Sequence, residues 1–402
     1  SYLALARHHT FHGHTFDLAF YTRMAWGAAH FDGWNPIVNA SAYGLHLVWI
    51  NHVLGPIGAV FGTVPTLLVA QALALGLSAL PLARIGARHL GPAGALVAAA
   101  AILLHPNLSH AGATDFHPGS VAVLPLAWLM DALDRRSWQG VALASFAVIL
   151  CREDLGLVTA AAALVLVARA RGSRPTARAA AGVAVLSLAY VAFFTLVLLP
   201  RLGPPAGSLD AHFGHWGASV PAVLAHLATH PADLATHLAE PARLLYLPTI
   251  IAPLALLPLL GPELLVVAAP TIGICLLSRF PTTTFLDSHY LTPALPMLVA
   301  AALVGAARAR RWLAHPTLPL VACAALAHVA GGAGPLSARF DARAYADDDH
   351  ARALRAMVDD VGASASVQAP DRALAHVAER TDVRRAPPPE TGAAFVIFDV
   401  TH

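Results

Sequence analysis

The apolar positions of this chain fall in long runs that show neither the two-residue alternation of a half-buried strand nor a polar stripe. Thr63–Ala83, Ala177–Pro200, Pro241–Leu260 and Pro262–Leu277 are the clearest. A bilayer-spanning helix needs about 20 apolar residues, or roughly 17 to 25 with tilt. On that basis spans are expected near 63–83, 91–108, 118–134, 137–152, 155–168, 177–200, 241–260, 262–280, 289–307 and 316–331. The stretches 137–152 and 155–168 are short, and read either as one broken helix or as two tilted half-helices.

Composition agrees with a lipid solvent. Apolar residues make up 57% of the 402 positions and charged residues 12%, a balance that no soluble core of this size requires. The 29 glycines and 30 prolines suit a membrane bundle, where neighbouring helices satisfy the backbone groups that such residues free. A net charge of +2, with the arginines scattered in short segments, argues against a nucleic-acid partner. Cys151, Cys275 and Cys323 all lie in apolar runs and imply no disulfide framework. The chain opens at Ser1 without an initiator Met, so residues ahead of it are expected, a first spanning helix or signal anchor among them.

Orientation follows from Arg84–Arg88, Arg135–Arg136, Arg169–Arg178 and Arg308–Arg311, since short basic loops stay cytoplasmic. Alternating through the ten expected spans puts all four on the inner side. The outer side then carries Ser1–Asn51, His105–His117, Arg152–Asp154, Arg201–Glu240, Pro281–Ser288 and everything after Gly331. Nearly all unusual polar residues share that side, and costly polar groups near a membrane normally mark a site or a path. Residues 1–334 are therefore expected to form a transmembrane helical domain, and 335–402 a small soluble α/β appendage outside the membrane. In that appendage Asp347–Val361 and Asp371–Arg380 read as helices, Ala365–Ala369 and Ala393–Val400 as strands, and Pro387–Pro389 as a stiff linker.

The candidate chemistry lies on the outer side. Asp17 follows the cluster His8, His9, His12 and His14; it is a general base, a metal ligand, or simply a helix N-terminal acid favoured by the dipole. The histidine spacing lacks an identifiable third zinc ligand. In Asp115-Phe116-His117-Pro118, the proline suits the first position of a helix. Asp115 and His117 would then stand at an anion-attracting N-terminus, or serve only as cap and solvated ring. Arg152-Glu153-Asp154 joins a bidentate phosphate binder to two acids, with a helix-fixing ion pair as the bland alternative. Asp287-Ser288-His289-Tyr290 opens another span from the same side. The near repeat in Pro221–Glu240, with Leu224, Leu227, Leu234 and Leu238 on one face, reads as a pair of interfacial amphipathic helices.

Several of these elements occur in an order that resembles a known family. They are Phe16-Asp17-Leu18, His46 with Pro56 ten residues on, Asp115-Phe116-His117-Pro118, Arg152-Glu153-Asp154, His289-Tyr290 and Phe395-Val396-Ile397-Phe398-Asp399. From about Phe16 onward the chain resembles the bacterial and archaeal predicted-membrane-protein family known as domain of unknown function 2079, grouped with GT-C type glycosyltransferases. The resemblance implies a GT-C-like all-α bundle, an acid in the first extracytoplasmic loop matched by Asp17, and a sugar donor carried on a polyprenyl phosphate. On the glycosyltransferase reading the candidate catalytic residues are Asp17, Asp115 and Glu153, and the candidate substrate- or phosphate-binding residues are His46, His117, Arg152, Asp154, His289 and Tyr290. Membrane lipids and that donor are the expected partners, the acceptor being open, and a divalent cation such as Mg or Mn is a possible cofactor. The chain departs from the pattern in lacking a span ahead of Asp17 and in carrying Arg152 where a lysine is expected.

Two functions follow from these observations. One is glycosyl transfer at the outer face of the cytoplasmic membrane. The other is a transporter or non-catalytic membrane protein with an outward-facing polar cavity, which should show matching broken segments in its two halves. No convincing repeat relates the two halves of the chain, and the charged groups gather at one end of the helices.

Overall fold

The computed structural model describes residues 2–13, 16–170, 172–204, 208–386 and 393–399. The expected linker Pro387–Pro389, His14 and the last residue of the final strand lie outside the described residues. Helices dominate. Three are long and apolar enough to cross a membrane: Thr63–Leu90, Arg174–Leu202 and Thr292–Ala309. A fourth crossing is available if Pro92–Leu103 and Pro106–Ala113, bent by 57°, act as one span. Trp138–Cys151, Pro262–Leu277 and Thr317–Gly331 are shorter apolar helices.

Glycine and proline explain where the helices differ from the apolar runs. Asn51–Phe61 and Thr63–Leu77 are separated by Gly62, whose φ of 87° lies in the left-handed region. The next break is Gly91, φ 82°, followed by Pro92 at the first position of its helix. Between them the helix continues through Ser78, so Arg84 and Arg88 lie within Ala79–Leu90 and not in a loop. The returning helix packs closely: a Cβ on Gly86 would stand 2.1 Å from the Gly94 carbonyl oxygen. The expected span 241–260 is not one helix either. It runs as a helix over Pro241–Ile251, then breaks into two 3-10 turns joined by left-handed Ala255 and Leu256. Pro248, Pro253 and Pro258 each remove a backbone donor there, so an unbroken ladder is unavailable.

Leu295–Ala309 is the axis of the bundle, with most of its residues fully buried. Its neighbours approach at small residues: a Cβ on Gly305 would meet the Leu257 carbonyl oxygen at 2.0 Å. Around this axis, Leu80, Leu96, Leu143, Leu186 and Leu326 face outward and stay exposed. Large apolar surface of that kind fits a lipid boundary, not water.

The arginine groups meet at one end of the bundle. Arg88 Nε donates to Asp134 Oδ2 at 2.8 Å, and Arg135 Nε to fully buried Asp131 at 3.0 Å. Arg308 Nη1 donates to Glu263 at 3.0 Å, Arg169 lies 3.5 Å from the same acid, and Arg310 donates to the Leu90 carbonyl at 2.8 Å. The chain segments around Asp17, His117, Arg152 and His289 meet at the opposite end.

The tail folds as a small parallel sheet in which Val367–Ala369 lies between Val383–Arg385 and Phe395–Val396, with the helix Asp349–Asp359 preceding it. The middle strand of the chain order, Val383–Arg385, had no sequence expectation. Leu354, Val367 and Leu374 share one apolar core with Phe11, Leu18 and Phe20 from the N-terminal segment. The tail is therefore packed onto the helices Tyr2–His9 and Phe16–Ala29, with the His376 ring between His8 at 3.9 Å and Phe11 at 3.8 Å. That stack is where His8 goes, while His12 lies 3.7 Å from Asp348, so His8 and His12 point to different partners.

Candidate functional site

A cavity of about 210 Å³ opens at the end of the bundle away from the arginine groups. Asp17, His46, Arg152, Asp154, His289 and Tyr290 line it, together with Tyr21 and His212. Its remaining wall is largely apolar, formed by Leu199, Leu209, Phe213, Val220 and Ile274. One wall helix carries a π-helical stretch at Phe194–Leu198, which turns Thr195 and Leu199 into the cavity.

Asp17 belongs to the first turn of Phe16–Ala29, and its side chain keeps 43% of its surface open, toward the cavity. Tyr21, one turn on, occupies the same helix face. Burial works against ionisation of Asp17, yet its contact with His117 and the nearby His289 and His46 hold the carboxyl low, at about 2. His117 sits behind it, with Nε2 3.3 Å from Asp17 Oδ2. Its ring stacks on His289, centroids 3.6 Å apart and planes 14° from parallel. Burial first, and then His117, keep His289 well below the ordinary histidine range.

Two buried amides hold these histidines in place. Gln71, from the middle of an apolar helix, donates to the carbonyls of Ala111 at 2.7 Å and Asp115 at 3.0 Å, and accepts the His117 backbone N–H at 2.7 Å. Asn107 donates to the carbonyls of Leu286 at 2.7 Å and Ser288 at 2.6 Å, and accepts from Thr292 at 2.9 Å. Each amide thus fixes a loop that carries one ring of the stack.

Arg152 stands at the end of Trp138–Cys151 in extended conformation. Its Nε is 2.8 Å from Asp154 Oδ1, an ion-pair distance, though neither atom is aligned for a hydrogen bond. Burial opposes its charge, but Asp154 and Glu153 more than restore it and the guanidinium stays charged. Glu153 turns away from the cavity. It accepts from His46 Nδ1 at 2.8 Å and from the Leu47 backbone N–H at 2.9 Å. Burial pushes Glu153 up, but His46, Arg152 and the backbone outweigh it and the carboxylate stays ionised.

The structure therefore brings Asp17, His46, His117, Arg152, Asp154, His289 and Tyr290 together and leaves two expected residues outside. Asp115 lines a separate pocket with Arg7 and His8, and burial pushes its carboxyl up to about 6. Glu153 faces His46 and the backbone, a positioning place. His117 does not cap the helix at Pro118 with its side chain. Four residues were missed from sequence: Gln71, Tyr21, Asn107 and His212. A lone glutamine in an apolar run and the i+4 spacing from Asp17 were signals for the first two. Nothing distinguished His212 from the other histidines of its segment; here its Nδ1 pairs with Ser278 Oγ at 2.8 Å.

Residues 7–390 match the family described as predicted membrane protein, domain of unknown function 2079. The chain belongs to this family. The match covers every residue of the cavity wall, the arginine end and the tail up to its last strand. No curated protein matches the chain significantly.

Proposed function

We propose that this family member is a membrane glycosyltransferase of the GT-C kind, acting at the outer face of the cytoplasmic membrane on a polyprenyl-phosphate-linked sugar. One observation carries the proposal: an ionised carboxylate, Asp17, and a half-buried guanidinium, Arg152, face one cavity whose other wall is apolar. That combination suits a substrate with a charged phosphate at one end and a hydrocarbon chain at the other.

In the proposed reaction the oxygen of an acceptor hydroxyl attacks the anomeric carbon of the donor sugar, and the bond from that carbon to the phosphate oxygen breaks. The bonding pair leaves with the polyprenyl phosphate, whose added charge Arg152 stabilises. The acceptor proton passes to Asp17. His46 and Tyr290 lie where they would orient the sugar or phosphate oxygens.

The test is transfer by the full-length protein in nanodiscs from radiolabelled polyprenyl-monophosphate hexoses, read in membrane lipid and glycan fractions. Transfer that falls by about a hundredfold or more in Asp17→Asn and Arg152→Gln supports the proposal. Absence of transfer from every such donor by a folded wild type overturns it.

A further inference from the structure

Three metal-ligating side chains from distant parts of the chain meet at the head of the cavity. They are Asp17 on its helix, His117 in the turn before Pro118, and His289 in the loop before Thr292. One ligand atom from each lies within 4.8 Å of the other two.

The geometry of His117 is the informative part. Its Nδ1 lies 3.1 Å from the Asp115 carbonyl oxygen, which can only accept, so Nδ1 carries the proton. In the neutral ring the lone pair is then on Nε2. That atom is buried, has no hydrogen-bond partner among the described residues, and stands 3.3 Å from the Asp17 carboxylate. With that nitrogen unprotonated, two acceptors face each other at this distance and repel, and either a proton or a metal cation between them removes the repulsion. An imidazole that donates one nitrogen to a backbone carbonyl and presents the other to a carboxylate-lined space has the outer-shell arrangement of a metal ligand. The near-parallel stack sets the His117 and His289 rings side by side, with a nitrogen of each within 4.8 Å of the other and of an Asp17 oxygen.

We propose that Asp17, His117 and His289 bind a zinc-type divalent cation. Two imidazoles and one carboxylate favour zinc, cobalt or another late first-row ion over magnesium, whose sites are built from oxygen ligands. Three protein ligands leave coordination open toward the cavity, as in catalytic zinc sites, where a phosphate oxygen or a water would complete the sphere. One carboxylate oxygen of Asp17 on the ion leaves the other free. The competing account is a doubly protonated His117 paired with Asp17, which needs no metal.

Metal binding is measured without any sugar donor, so its outcome is separate from that of the transfer proposal. Full-length protein in detergent is stripped with a chelator and titrated with Co²⁺ as a spectroscopic probe. Wild type is expected to develop visible d–d bands at one cobalt per chain, which Zn²⁺ removes and millimolar Mg²⁺ does not. Asp17→Asn and His289→Gln should each weaken this binding by at least about tenfold. The chain has 22 histidines, so binding elsewhere is a real competitor, and the variants identify it. Bands that persist unchanged in both variants, or a folded wild type that gives none, overturn the proposal.

Discussion

The backbone N–H of His117 donates to the side-chain oxygen of Gln71 across 2.7 Å, and the same side chain's nitrogen donates to the Asp115 carbonyl, 3.0 Å away. A glutamine in the middle of an apolar helix thus closes on both sides of the turn that presents the His117 ring. Asn107 does the same for the loop of His289.

Gln71→Leu should therefore injure the site through the turn. Leucine is close in volume but leaves one buried N–H and two carbonyls short of a partner, a cost of about 1–3 kcal/mol per unsatisfied group. A lower melting temperature in detergent, together with weakened cobalt binding, is the expected result. Lowered stability with unchanged cobalt affinity would mean that the turn keeps its shape without the amide.

Asp17 and Asp115 should separate cleanly. Asp17→Asn is expected to melt near wild type, because its side chain is partly open to the cavity, while transfer falls by about a hundredfold or more. Asp115 lines a different pocket, so Asp115→Asn should keep most of the activity. Loss of transfer in Asp115→Asn at unchanged stability would return that residue to the site.

The joint between the tail and the N-terminal helix should loosen in acid. Burial lowers His8 to about 4 and His376 to about 2, against an ordinary value of 6.5. His9 and Arg355, nearby and cationic or able to become so, push in the same direction, while Asp115 is the acid sharing the pocket beside His8. Both folded values are depressed, so the unfolded joint binds more protons below 6.5. Its stability is full above that pH and is lost as the pH falls from 6.5 through about 4, where His8 protonates, toward about 2, where His376 does. Limited proteolysis at pH 7.5 and pH 5 should show the tail released faster in acid, and His376→Phe should reduce the difference.

The arginine end and the site end should label from opposite sides of the membrane. Phe31 is fully exposed near the site end, and the Asp349 side chain is 99% exposed on the tail. Cysteines at either position, in a background without Cys151, Cys275 and Cys323, should react with an impermeant maleimide in intact cells. A cysteine at exposed His315, beside the Arg308–Arg311 group, should react only after lysis. Labelling of one outer position without the other would break the shared-side topology.

The sequence alone determined the solvent and the two ends. Apolar runs longer than any soluble core needs identify a lipid-bounded helical protein, and the separation of arginines from the other polar motifs anticipates the two ends of the bundle. Both are local or additive properties that survive any arrangement of the helices. Helix boundaries were less legible, because apolar content does not distinguish one continuous helix, such as Thr63–Leu90, from the broken segment after Ile251; backbone breaks at Gly91 and the Pro248, Pro253 and Pro258 series decide that. The site itself belonged to tertiary structure. Adjacent residues in the chain face different ways: Arg152 lines the cavity while Glu153 turns to His46, and His117 faces Asp17 while Asp115 points to another pocket. Which of two neighbouring side chains enters a cavity depends on backbone dihedrals fixed by partners such as Gln71 and Asn107, which lie at least 40 residues away from the groups they hold across the bundle. No pattern within either segment carries that information, and only packing brings the partners together.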